Sequence, residues 1–289
     1  MNKIIISTES GSDLPYKIYE PYNIQIVPLH ISFGEKTVYD GTFSPEEINK
    51  YFKDSKTLPT TAAVNPGEYI RHFKAIYTKY PNCKIIHVSY SSNLSATYHN
   101  ALMAAKEFDS SKLSIINSEN GSIGAGVVAM LAARVVERYY DKLSFEECVS
   151  LIKRERYRVC CVFLPDSLTY LKAGGRISSV AHLGASVLNL KPTLEVINGE
   201  IKAGKKYRGN IYKIATTYFD DVVKHNNLDK DFIVIGYSYG INKALLFALK
   251  RHAHKMGFSK SWCFQLGSAV TCHTGPVCIG LAGVKRHSI

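Results

Sequence analysis

The sequence has no Cys-x-x-Cys pair, no long apolar run and, from residue 239 onward, no aspartate or glutamate. Each absence closes off a class of function. The seven cysteines, at positions 83, 148, 160, 161, 263, 272 and 278, are an odd number scattered through strand-like and helix-like segments. Reduced, buried thiols are therefore expected rather than a disulfide framework. Cys272, His273 and Cys278 stand close together but fit no zinc spacing, so no metal is expected. The longest apolar stretch, Ile123 to Ala133, is far shorter than a membrane span and is interrupted by Gly124 and Gly126. Met1-Asn-Lys leads straight into Ile4-Ile-Ile-Ser, too short for the core of a signal peptide, and the expected location is cytoplasmic.

Acidic residues are scarce throughout: 24 Asp+Glu face 36 Lys+Arg, a formal net charge of +12. Such a balance favours an anionic partner, whether nucleic acid, an acidic protein face or, transiently, a membrane surface. No nucleic-acid recognition motif accompanies it, so the basic runs Lys153–Arg158 and Lys202–Arg208 read as solvated faces and no nucleic-acid partner is expected. An apolar content of 46% and a charged content of 21% are those of a globular protein. The 289 residues exceed what one hydrophobic core serves, which implies two domains, 1–157 and 158–289.

Strand and helix alternate along the first half. β-branched runs at Ile4–Ile6, Ile24–Val27, Ile85–Val88 and Leu113–Ile116 read as strands, with helices over 67–80, 95–108 and 122–139. Ser44-Pro-Glu-Glu and Ser144-Phe-Glu-Glu read as capping boxes, and Ser12 or Asp13 as a cap for a helix near Pro15. Prolines bracket Leu58 to Pro66, which places Thr60 and Thr61 on an extended loop. The pattern predicts an α/β protein: a two-domain chain with an N-terminal Rossmann-like parallel sheet and a C-terminal mixed α/β domain. In the second half, Val159–Leu164 is a strand, Leu168–Lys172 is helical, a further helix ends near Leu190, and Asn198-Gly turns a hairpin. Helices at 211–225 and 241–256 and strands at 232–236 and 262–266 follow.

Three stretches carry chemistry. Ile85-Ile-His-Val-Ser-Tyr-Ser-Ser-Asn-Leu-Ser-Ala-Thr is a strand breaking into a polar loop ahead of a helix, a corner where backbone N–H groups and the hydroxyls of Ser91, Ser92, Ser95 and Thr97 suit a small anion. The same hydroxyls also fit a Ser-rich N-cap. Gly236-x-Ser238-x-Gly240 has the context of a hydrolase nucleophile elbow, but no acid follows it, so an ordered triad cannot be completed. Asn120-Gly-Ser-Ile-Gly-Ala-Gly lacks the Walker lysine and is better explained by close helix packing.

Several motifs together resemble the DegV family of bacterial fatty-acid-binding proteins. Leu58-Pro-Thr-Thr-Ala-Ala-Val sits where that family has a Thr-Ser-Gln-Pro loop, and Ser91-Ser-Asn-Leu-Ser-Ala-Thr-Tyr resembles its Ser-Ser-x-Leu-Ser-Gly-Thr-Tyr. Leu168-x-Tyr-Leu-x-x-Gly-Gly-Arg-Ile resembles its Gly-Gly-Arg loop, and Gly267 to Pro276 its closing segment. Ala62, Ala63 and Val64, Ala96, Glu9 and Val277 depart from the family's residues. The resemblance implies a long-chain fatty acid whose carboxylate lies at the domain junction, bound by Thr61 and Ser95 with His273 in the same network and Ser92 and Thr97 alongside. It implies no cofactor beyond that ligand and no turnover by the chain itself. It further implies a partner, an ATP-using fatty acid kinase that makes an acyl phosphate, with Arg176 assisting transfer or docking and Arg208 a second docking residue. The competing expectation is a serine hydrolase using Ser238 or Ser95.

Overall fold

Short β-branched runs have no room for a helical face, and those at Ile4-Ile-Ile and Ile85-Ile-His-Val form strands buried on both sides. The computed structural model describes residues 3–139, 141–176 and 190–287. The chain opens with β1 (Ile4–Glu9), α1 (Tyr16–Tyr19), β2 (Gln25–Val27), β3 (His30–Phe33), β4 (Lys36–Tyr39), α2 (Glu46–Ser55) and β5 (Thr60–Ala62). Next come α3 (Pro66–Lys79), β6 (Lys84–Ser89), α4 (Thr97–Ala105), β7 (Leu113–Asn117), α5 (Ile123–Tyr139) and α6 (Phe145–Glu155). Four strands make a wholly parallel sheet in the order β2-β1-β6-β7. The chain leaves β1 toward one side and returns to β6 on the other, so the sheet reverses its order between these two strands. In open α/β sheets that switch point is where ligands sit.

The second half runs β8 (Val159–Pro165), α7 (Thr169–Ala173), β9 (Leu190–Ile197), β10 (Glu200–Arg208), α8 (Ile211–His225) and β11 (Phe232–Tyr237). It ends with α9 (Lys243–Lys255), β12 (Lys260–Gln265), α10 (Ser268–Thr274) and β13 (Cys278–Val284). Its six strands form one mixed sheet, β10-β9-β8-β13-β11-β12, parallel only between β11 and β12. One face packs under α8 and α9, where Tyr218, Phe219 and Leu249 meet Val162, Ile235 and Ile279. The opposite face turns toward α5, which packs on β1 as well as on β8 and β13 and so serves both halves. The glycines of α5 permit this approach. A side chain at Gly124 would lie 2.7 Å from Cys161 Cβ, and one at Gly126 would overlap the Ser12 carbonyl. Close packing, not phosphate binding, accounts for that Gly-rich segment.

Several local expectations need correction. Thr60 and Thr61 are not on a loop: they form β5, which pairs antiparallel with β3 to build a three-stranded sheet, β4-β3-β5. The bracketing prolines lie outside the paired residues, so they do not interrupt the ladder. Ser44 does not cap α2; its hydroxyl bonds Glu46, while Ser144 and Glu147 do form the reciprocal box. A second box at Asn65 and Glu68 starts α3. Neither Ser12 nor Asp13 caps α1. Helix α4 begins at Thr97, not Ser95, because Leu94 and Ser95 close a turn onto the Ser91 carbonyl. β13, a central strand, carries no alternating pattern to mark it in the sequence. The helix expected to end near Leu190 lies outside the described residues, and Leu190 itself opens β9.

The hairpin of β9 and β10 turns at Asn198 and Gly199, both at positive φ as a tight hairpin turn requires. Its tip rests on the first half: Ser91 Oγ donates to the Gly199 carbonyl at 2.7 Å and Asn93 Nδ2 to that of Asn198 at 3.3 Å. The Ser-rich loop thus holds the two halves together. Among the described residues no helix is long and apolar enough to cross a membrane.

Candidate functional site

A cavity opens where the carboxyl ends of β1 and β6 face the mixed sheet. It encloses about 860 Å³ of empty space, its open mouth included. It is narrow, with a cavity volume of about 90 Å³. Leu29 and Leu94 wall it from the first half, and Phe163, Leu171, Leu194 and Val196 from the second. A narrow space with apolar walls suits a chain better than a compact ligand.

Polar groups converge at one part of this wall. Thr61 comes from β5 and His273 from the last turn of α10, and Thr61 Oγ1 lies 2.8 Å from His273 Nε2 across the boundary between the halves. Ser95 and Arg176 line the same cavity. Burial, helped by the positive charge of Arg176, pushes the His273 imidazole down to about 4, so it is neutral near pH 7. A neutral ring carries one proton. With that proton on Nε2, His273 donates to Thr61 and leaves the threonine hydroxyl free to donate into the cavity. Nδ1 is buried without a hydrogen-bond partner among the described residues. Ser95 Oγ accepts the Thr97 N–H at 3.3 Å, which leaves its own proton available.

Two motifs interlock behind His273. A side chain at Gly174 would overlap His273 Nδ1 and lie 3.1 Å from Cε1, and one at Gly275 would overlap the Tyr170 ring. The glycine of the Gly-Gly-Arg loop therefore fits against the imidazole, and the glycine of His-Thr-Gly-Pro against the tyrosine four residues before Gly174. Arg176 is exposed, and its guanidinium donates to the Gly174 carbonyl at 2.6 Å.

Other candidate residues are placed elsewhere. Ser92 does not line the cavity; its Oγ accepts from Asn117 Nδ2 at 2.9 Å. Thr97 is fully buried and also off the wall, its hydroxyl without a partner among the described residues. Both follow from the turn at Ser91–Ser95, which points successive side chains in different directions. Arg208 ends β10, exposed and away from the cavity. Ser238 is fully buried, its Oγ accepts the Cys278 N–H at 2.8 Å, and its backbone lacks the positive φ of a strained elbow. Tyr90 and Ser122 also line the wall; no motif marks either side chain for it, although Tyr90 lies inside the strand-turn-helix stretch.

A family model described as an uncharacterised protein of the DegV family matches residues 3–286. A DegV domain-containing protein of Clostridium perfringens is 29% identical over 290 residues, covering 99% of this chain and 100% of the relative. Another, of Caldanaerobacter subterraneus subsp. tengcongensis, is 30% identical over 286 residues, covering 97% and 98%. Among solved structures, a fatty-acid-binding DegV family protein from Thermus thermophilus superposes with a TM-score of 0.87 at 24% identity, covering 98% of this chain and 100% of that one. A DegV family protein from Eubacterium eligens loaded with heptadecanoic acid gives 0.83 at 18% identity, with the same coverage.

Proposed function

The chain belongs to the DegV family, and we propose that it binds a long-chain fatty acid in the cavity between its halves. The observation that carries this reading is the approach of Thr61 to His273 across the boundary, on the wall of a narrow apolar space that Ser95 also lines. The fatty acids described in structures of the same fold support it. Hydroxyl donors to a carboxylate make short, charge-assisted bonds. Burying each methylene contributes about 0.8 kcal/mol, so a long tail offers on the order of 10 kcal/mol before ordering costs. The tail thus supplies affinity, and the head group supplies orientation and the choice of acid over alcohol.

Organic extraction of the purified protein followed by mass spectrometry should release a fatty acid. No acyl species, together with no binding of an added acid, would sink the reading. Removing the threonine hydroxyl tests the head group. Thr61→Val should reduce the preference for a fatty acid over the matching alcohol about tenfold or more, as expected for a hydrogen bond to a charged group. Unchanged discrimination in paired titrations would remove Thr61 from the site.

The finer part of the proposal is that the bound acid is presented to a fatty acid kinase, whose ATP phosphorylates the carboxylate to an acyl phosphate and leaves ADP. Its support is the resemblance together with an exposed arginine on the cavity wall, a cation suited to developing phosphoryl charge. Arg208 and the basic surface are assigned to docking on the same grounds. Arg176→Ala should lower acyl phosphate formation about a hundredfold, in the range of a lost transition-state contact, with fatty acid binding retained. Full transfer by the variant would exclude the role.

A further inference from the structure

Two buried carboxylates from the first half hold the helix that carries His273. Asp13 follows β1 at a φ of 52°; its Oδ1 accepts the Gly267 N–H at 2.7 Å and its Oδ2 accepts the Ser122 hydroxyl. Asp40 follows β4; its Oδ1 accepts the Ala269 N–H at 3.1 Å and its Oδ2 the Ser10 hydroxyl at 2.7 Å. Gly267 and Ala269 open α10, which has no side-chain cap at its N-cap residue. Its first N–H groups are taken instead by acids of the opposite half. The two acids are neighbours: a side chain at Gly267 would lie 2.9 Å from Asp13 Oδ1 and 3.8 Å from each oxygen of Asp40. Among the described residues neither acid enters an ion pair.

We propose that Asp13 and Asp40 are positioning residues for His273: together they clasp α10 across the boundary between the halves, and a charge on Asp13, buried beside Asp40, opposes closure. The consequence for ligand rests on the fatty acid reading; the clasp itself does not. Ala269, Val270, His273 and Thr274 of α10 all line the cavity, so a shift of this helix alters wall and head-group site at once.

The sign follows from the surroundings. Burial pushes Asp13 up to about 7, against the pull of its bonds from Ser122 and Gly267, and the charge of Asp40 adds to the rise. The other titratable groups facing the pair are the Tyr90 phenol and the Cys161 and Cys272 thiols, all pushed up by burial and neutral near pH 7. His273, pushed down to about 4, stays neutral above pH 6. A carboxyl that holds its proton more tightly in the closed arrangement than when hydrated favours closure at low pH and opposes it as pH rises through about 7. If opening hydrates Asp13 fully, the shift from about pH 6 to about pH 8 weakens closure roughly tenfold.

The test uses a long-chain alkyl sulfonate, which stays anionic across that range. The wild-type chain should lose roughly three- to tenfold in affinity from about pH 6 to about pH 8, while Asp13→Asn, which cannot ionise, should bind with a flat profile. An Asp13→Asn profile as steep as wild type overturns the proposal. Hydrogen–deuterium exchange of the ligand-free chain gives an arm independent of the ligand. Protection over residues 267–273 should be lost in Asp13→Ala/Asp40→Ala and kept in Asp13→Asn. Undiminished protection in the double variant overturns the clasp. Lost protection there, with a wild-type chain that binds no sulfonate at any pH, supports the clasp and overturns the fatty acid reading instead.

Discussion

Gly275→Ala should cost about 2–6 kcal/mol of folding stability and disturb the cavity wall around His273 at the same time. Gly275 has φ 66° and ψ −168°, a combination open to glycine alone, and forcing a side chain into such a region costs about 1–3 kcal/mol. The added carbon would also overlap the Tyr170 ring, lying 2.7 Å from Cγ and 2.9 Å from Cε2. Overpacking of this kind costs typically about 1–3 kcal/mol. Tyr170 cannot simply step aside. It is buried, packs edge-on to Phe52 at 5.3 Å, and accepts the Gly174 N–H at its carbonyl. Since Gly174 lies against His273, motion of Tyr170 reaches the imidazole. Urea unfolding should show the loss, and fatty acid titration should show weakened binding beyond it. Gly257→Ala is the control: its φ is 87° and nothing stands within 4 Å of an added side chain. It should show the backbone penalty alone, about 1–2 kcal/mol. Equal losses at the two positions would mean that the Tyr170 contact contributes nothing.

What can be read from residues alone here is what neighbours along the chain determine. The Ser144 box, the Asn198–Gly199 turn and the alternation of strand and helix depend on contacts a few residues apart, and all three stand in the structure. Motif likeness extended this reach to Thr61, Ser95, His273 and Arg176, which share one cavity although Thr61 and His273 are 212 residues apart in sequence. Spacing fails where the answer lies in pairing. β5 is a strand only because β3 lies beside it, and β13 is central only because β8 and β11 flank it. Hydroxyls at Ser92 and Thr97 looked equivalent to Ser95, yet a single turn sends one to Asn117 and another into the core. Asp13 resembles a cap for the helix that follows it; the helix N-terminus it serves is α10, about 250 residues away.

The same long-range logic governs Glu9, where the family's resemblance places an aspartate. Its carboxylate is buried in the core of the parallel sheet. Oε1 accepts from Tyr69 at 2.5 Å, Ser89 at 2.6 Å and His87 Nε2 at 3.1 Å, and Oε2 accepts the Tyr90 N–H at 3.0 Å. The chain of bonds continues from His87 Nδ1 to Ser7 at 3.0 Å and from Ser7 to His72 at 2.7 Å. Burial pushes the Glu9 carboxyl up, but the His87 imidazole, as charge and as hydrogen-bond partner, and the bonds from Ser89 and Tyr69 together hold it below its ordinary value. A carboxyl lowered in the folded state stabilises above its unfolded pKa, about 4.3–4.5, and loses that contribution as pH falls below it. Glu9→Ala removes one side chain and strands four donors in the core, for which a loss of about 3–5 kcal/mol is expected at pH 7. Glu9→Gln, which keeps the shape and some of the bonds, should lose less. Its deficit relative to wild type should shrink as pH is lowered from about 5 to about 3, because wild type then loses the charge that the variant never had. Taking the difference at each pH cancels, to first order, the opposite drift contributed by Asp13. A loss below about 1 kcal/mol in Glu9→Ala, or a Glu9→Gln deficit that stays constant into acid, would mean that water solvates this carboxylate and that the network does not hold the end of β1 against Tyr90.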